Sequence, residues 1–143
     1  MMSPLYGAVE QGPGVLTVAR EDNAIGIAAG AALTGHLPVV LMQNHGIGPS
    51  LGAIASLVMP YRTPVLLVVH VRTADGAPPA ETVLLSKITR PLLDGLGMAV
   101  VEYDPATPAA DQVARALVSV RDNRTPTALL MPPSALETGG LPA

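Results

Sequence analysis

Three short stretches of this chain, each expected to be a loop, carry side chains that can do chemistry: Arg20-Glu21-Asp22, the run Gln43-Asn44-His45-Gly46-Ile47-Gly48-Pro49, and His70 to Asp75. Each follows a short apolar run that reads as a strand, and in open α/β sheets ligands gather outside the carboxyl ends of the strands. That common position predicts that Glu21, Asn44, His45, His70 and Arg72 meet at one edge of a sheet. The residue types suit acid–base and anion chemistry. A carboxylate is a general acid or base, an imidazole changes charge near neutral pH, and a guanidinium grips oxyanions through paired hydrogen bonds.

Glu21 heads the helical run EDNAIGIAAG. An acidic residue at a helix N-terminus has a plain structural role too, because the positive end of the helix dipole favours it. Gly26 and Gly30 lie inside the same run, and together they forgo about 2 kcal/mol of helix stability relative to alanine. That cost predicts a close contact against the glycine face.

The elements that must position these residues follow from the pattern of the whole chain. Strands are expected at Leu16–Ala19, Val39–Met42, Val65–Val69, Ala99–Glu102 and Thr127–Leu130, and helices at Asp22–Thr34, Ser50–Val58, Glu81–Leu93 and Ala109–Arg121, with a short one at Ser3–Glu10. Alternating strands and helices predict a three-layer α/β/α fold with a mainly parallel sheet. Gly35 and Asp94-Gly95 mark helix ends. All 143 residues fit a single domain.

Composition removes several classes of function. Three tyrosines are the only aromatic residues and the net charge is −3, so the chain offers neither stacking platforms nor a basic patch for nucleic acid. The absence of cysteine excludes disulfides and thiolate chemistry, and three scattered histidines predict no metal site. No apolar run reaches the roughly 18 residues of a membrane span, and MMSPLYGAVEQ lacks the features of a signal peptide. The expected location is cytoplasmic. Charged residues make up only 13% of the chain, well below the quarter or so usual for a soluble domain, which predicts a surface partly covered by other subunits.

The pattern Glu21, Ala24, Gly26, Ala28, Gly30, the motif QNHGIG at Gln43 to Gly48, SLVMPYRTPVLLVV at Ser56 to Val69 and KITRPLLDGLG at Lys87 to Gly97 resemble the pyrimidine-binding (PYR) domain of thiamine diphosphate-dependent decarboxylases. The blocks are most like those of sulfopyruvate and phosphonopyruvate decarboxylases, and the usual first strand of that fold is lacking. The resemblance implies that Glu21 hydrogen-bonds N1′ of the cofactor's aminopyrimidine and so promotes ylid formation. It implies pyrimidine contacts from Gln43, Asn44 and Gly46. Asn44, His45, His70 and Arg72 become the candidates for holding a small anionic 2-oxo acid. The chain has no G-D-G motif, so the resemblance further implies a separate β subunit with the PP domain, which holds the diphosphate and Mg²⁺ in a hetero-oligomer.

Other readings of the same residues stay open. GIGPSLG, Gly46 to Gly52, has glycines after a strand as a dinucleotide phosphate loop does, although its spacing is G-x-G-x-x-x-G and His70 stands where an acidic residue belongs. Carboligation begins with the same cofactor activation as decarboxylation. A PYR-type chain can also serve as a non-catalytic structural or regulatory partner.

Overall fold

A computed structural model describes residues 12, 14–72, 80–132 and 135. Four strands form one sheet: β1 (Val39–Gln43), β2 (Leu66–His70), β3 (Ala99–Glu102) and β4 (Thr127–Met131), in the order β1-β2-β4-β3. Every pairing is parallel. Val39 stands opposite Leu66 and Gln43 opposite His70; Leu66 opposite Thr127 and His70 opposite Met131; Ala99 opposite Thr127. The helices are α1 (Glu21–Leu33), α2 (Ile47–Ala53, continued by a π-helical turn over Ile54–Val58), α3 (Ala80–Gly95) and α4 (Ala109–Asp122).

The central strands β2 and β4 consist of Val, Leu and other residues that tolerate burial on both faces, and they are buried almost throughout. Side chains alternate across a strand, and the core divides accordingly. Val40, Met42, Leu67, Val69, Ala128 and Leu130 pack with Ile25 and Ala28 of α1, Ile47 and Ile54 of α2 and Leu93 of α3. Leu66, Val68 and Leu129 pack on the other face against Ala116 and Val120 of α4. Helices thus cover both faces of a parallel sheet, the α/β class expected. Gly35 ends α1 with φ of 88°, and its N–H donates to the Ala32 carbonyl, a left-handed stop that glycine adopts without penalty.

Three expectations are corrected. Leu16–Ala19 is not a strand. Val15 and Leu16 are 47% and 65% exposed, and a β-branched run is held as a strand only where one of its faces finds a partner to pack on. The Gln43–Pro49 stretch is not a loop, because β1 runs through a single 3₁₀ turn, Asn44–Gly46, directly into α2. Glycine and proline suggested a loop there, but Pro49 falls in the first turn of α2, where backbone N–H groups have no intrahelical partner and proline is tolerated. Nothing else in the described chain comes within 4 Å of where a Cβ on Gly26 or Gly30 would stand, so the expected contact on that face is not made. Asn23, Gly26, Ile27, Gly30 and Leu33 instead form an exposed stripe along α1, with Leu33 82% exposed. The short helix at Ser3–Glu10 and the part of the His70–Asp75 stretch beyond Arg72 lie outside the described residues.

Candidate functional site

Glu21 is the first residue of α1, and the side chain beside it decides what Glu21 is free to do. Arg20 closes a two-point fork on Asp22, Nε to Oδ1 at 3.0 Å and Nη2 to Oδ2 at 2.8 Å. The nearest cation is therefore committed, and among the described residues the half-buried Glu21 carboxylate makes no hydrogen bond or ion pair. Its stem lies across Gly46. A Cβ built on Gly46 would stand 2.4 Å from Glu21 Cγ and 2.9 Å from Cδ, distances that only a missing side chain permits. The two stretches singled out in the sequence, twenty-odd residues apart, meet at this glycine.

Asn44 fastens the turn that carries Gly46. Its side chain is 1% exposed; Nδ2 donates to Thr89 Oγ1 of α3 at 3.3 Å, and Oδ1 accepts from the backbone N–H of Arg72 at 3.4 Å. One amide thus ties the end of β1 to α3 and to the residue after the buried β2 extension. Each end of the amide makes one bond within the chain, so Asn44 positions this turn and keeps one N–H and one lone pair for a ligand. Removing it strands the Arg72 N–H, and Asn44→Ala is expected to destabilise the fold by about 1–3 kcal/mol. Urea denaturation measures this; an unchanged midpoint would show that the clamp contributes nothing.

His70 lies across the sheet from Glu21. Alternation places Gln43 and His70, which stand opposite one another in register, on the α4 side of the sheet, away from α1 and Glu21. His70 is 3% exposed, and its Nδ1 is buried without a partner. Burial pushes its pKa below the ordinary histidine value, and nearby positive charge, Arg72 included, adds to the effect. The unfolded chain then takes up a proton before the native one does. The stability conferred by neutral His70 is complete above about pH 6.5 and is lost as pH falls through that value toward the lower native pKa. The expected slope approaches about 1.4 kcal/mol per pH unit. Urea unfolding between pH 7.5 and 5.5 should show that slope reduced in His70→Gln. His45 is half-buried in the 3₁₀ turn, with Nδ1 also buried and unpartnered, as is the Ser50 hydroxyl one helical turn after Gly46.

Two other arginines are engaged elsewhere. Arg90 bridges Asp94 at 3.2 Å and Glu102 at 2.8 Å, and Arg62 donates to the Asn123 carbonyl at 3.2 Å. Arg72 is exposed, and its guanidinium has no partner among the described residues. No group of three His, Asp or Glu side chains among the described residues is placed to hold a metal ion, and no described helix is long and apolar enough to cross a membrane.

Sequence reasoning passed over the polar stripe Thr82, Ser86, Thr89 on α3. Thr82 and Thr89 are 2% exposed, and the Ser86 hydroxyl lies within reach of the carbonyls of Arg72 and Thr82, which share its single proton. The signal was available as hydroxyl residues at i, i+4 and i+7, one face of a helix. Ser86, Thr89, Arg90 and Tyr103 also line a cavity of about 250 Å³ at the carboxyl ends of β2 and β4, floored by Val71 and Leu130.

No family model matches the chain. It is similar to sulfopyruvate decarboxylase subunit alpha of Methanococcus maripaludis, with 33% identity over 93 residues, 65% of this chain and 54% of that one. The same subunit of Methanocaldococcus jannaschii is 41% identical over 70 residues, 48% and 41% of the two chains. Phosphonopyruvate decarboxylase of Streptomyces viridochromogenes is 34% identical over 96 residues, 65% of this chain and 24% of the relative. The chain thus spans about half or less of the length of these curated relatives, and its resemblance to both kinds of decarboxylase is established over the matched segments.

Proposed function

We propose that this chain is the PYR-type α subunit of a cytoplasmic, heteromeric thiamine diphosphate-dependent enzyme. Its reaction is decarboxylation of a small 2-oxo acid bearing a second anion, such as sulfopyruvate or phosphonopyruvate. The observation that carries the reading is the unpartnered Glu21 carboxylate lying over Gly46 at the head of α1. Similarity to subunits of enzymes named for those two decarboxylations supports it.

The residues fit an aminopyrimidine. A carboxylate with no ion pair among the described residues is available to a ring nitrogen, and the glycine beside it lets the carboxylate stem lie against the turn. Bound thiamine diphosphate supplies the carbon nucleophile for the keto carbon and accepts the electron pair left when carbon dioxide departs. Glu21 holds a proton between its carboxyl oxygen and N1′ of the pyrimidine. Gly46 offers backbone at that ring, while Asn44 acts indirectly by fixing the turn. Arg72 faces the anionic end of the substrate. The diphosphate and Mg²⁺ belong to a separate PP-domain β subunit, and the exposed apolar stripe on α1 fits a chain that is covered in its complex.

Calorimetry with thiamine diphosphate and Mg²⁺ tests the reading, on the chain alone and on the chain with its co-purified partner. Binding by the pair and not by the chain alone is expected. Binding by neither overturns the function; tight binding by the chain alone overturns the division between subunits.

A further inference from the structure

We infer that His45 is a substrate-contacting residue whose hydrogen-bond donor, Nε2–H, is fixed by the burial of its other ring nitrogen; the inference rests on the site proposed above. Among the described residues Nδ1 of His45 is buried with no hydrogen-bond partner, whereas Nε2, which makes no hydrogen bond there either, is not buried. Neutral imidazole carries one N–H and one lone pair. A proton on Nδ1 would strand a buried donor, the rarer and costlier kind of orphan, and would leave only an acceptor facing outward. A proton on Nε2 buries the lone pair and presents a donor at the accessible edge. The free side chain leans the same way, so burial and intrinsic preference agree.

The position of this donor gives it a use. His45 lies between Gly46, which carries the Glu21 side chain, and Asn44, which is bonded to the Arg72 backbone at 3.4 Å. The imidazole donor and the Arg72 backbone therefore adjoin one clamped turn at the carboxyl ends of β1 and β2, and the Arg72 guanidinium is unpartnered among the described residues. Two donors so arranged, one of them charged, suit an anion with several oxygens, the terminal group of the 2-oxo acid. Asn44, bonded at both ends, fixes the turn that carries the donor.

Two isosteric variants separate the ring nitrogens. Glutamine places its amide near Nε2, asparagine near Nδ1. In the heteromeric complex, His45→Asn is expected to raise KM for sulfopyruvate about 10- to 100-fold, as loss of a hydrogen bond to a charged group does, with kcat within about threefold. His45→Gln, which keeps a donor near the Nε2 position, should raise KM at least about tenfold less than His45→Asn does. Long-range proton–nitrogen NMR of the full-length chain with labelled histidine, assigned through His45→Gln, should show the Nε2–H tautomer. An Nδ1–H tautomer, or an even mixture, overturns the inference. Glu21→Gln is measured alongside. If it abolishes turnover while His45→Asn keeps the parental KM, this inference alone falls; if it retains full turnover, the site reading falls and takes the inference with it.

Discussion

Glu21→Gln is expected to lower turnover of the heteromeric complex by about 10²- to 10⁴-fold, the range for loss of a positioned general acid or base, with the thermal midpoint of the chain unchanged. Glutamine keeps the length and the branching of the side chain, so its stem can still lie over Gly46. It cannot give or take the proton at N1′. Stability should be indifferent because the carboxylate makes no hydrogen bond or ion pair within the described residues, and Asp22 remains in the first turn to satisfy the helix dipole. Steady-state turnover and a melting curve on the same preparation decide the matter. Parental turnover would reduce Glu21 to a dipole-pairing residue and end the proposed mechanism.

Gly46→Ala is the second large effect, and it comes from one added carbon. Gly46 has φ of −70° and ψ of −15°, a helical conformation open to any residue, so the glycine is not required by its backbone. Alanine is the better helix former by up to ~1 kcal/mol, and the chain should fold as before or slightly more stably. The new methyl, however, would sit 2.4 Å from Glu21 Cγ and 3.0 Å from its Cβ. The flexible carboxylate arm must swing aside, and a displacement of about 1 Å at a reacting group costs on the order of 10²-fold in rate. The expected pattern is intact stability, intact assembly with the partner and a kcat reduced about 100-fold. Parental kcat would mean that Glu21 recovers its place around the methyl and that Gly46 is not what positions it.

Much of the fold was legible because it rests on period and punctuation. Four of five expected strands are strands to within a residue at each end, since runs such as Leu66 to His70 are apolar on both faces and only a buried parallel strand accommodates that. Leu16–Ala19 has similar composition and fails, because exposure is decided by what packs against a run and not by the run itself. The helical start at Asn44 was masked by glycines and a proline that look like a loop in sequence and act as a tight turn and a first helical turn in space. The spatial arrangement of the singled-out residues was legible only in part. Glu21 meets Gly46, and Asn44 meets Arg72, as expected of one sheet edge. Gln43 and His70 lie across the sheet from Glu21, a separation that their in-register pairing and the two-residue period of a strand impose. Gly26 and Gly30 signalled a contact that is not made among the described residues, and Thr89, which holds Asn44 in place, announced itself only as one hydroxyl in a stripe of three.

The strand order has a consequence for how the site comes into being. All residues assigned to it lie between Glu21 and Arg72, yet β2, from whose end Arg72 emerges, is flanked on one side by β4, with Leu66 opposite Thr127. During synthesis the first half of the chain leaves the ribosome with one edge of β2 bare, and parallel pairings of such long range close late. The chemistry is therefore encoded early and locked last. A nonsense or frameshift lesion just upstream of Thr127 would spare every candidate residue and still leave them without the strand that holds their sheet together.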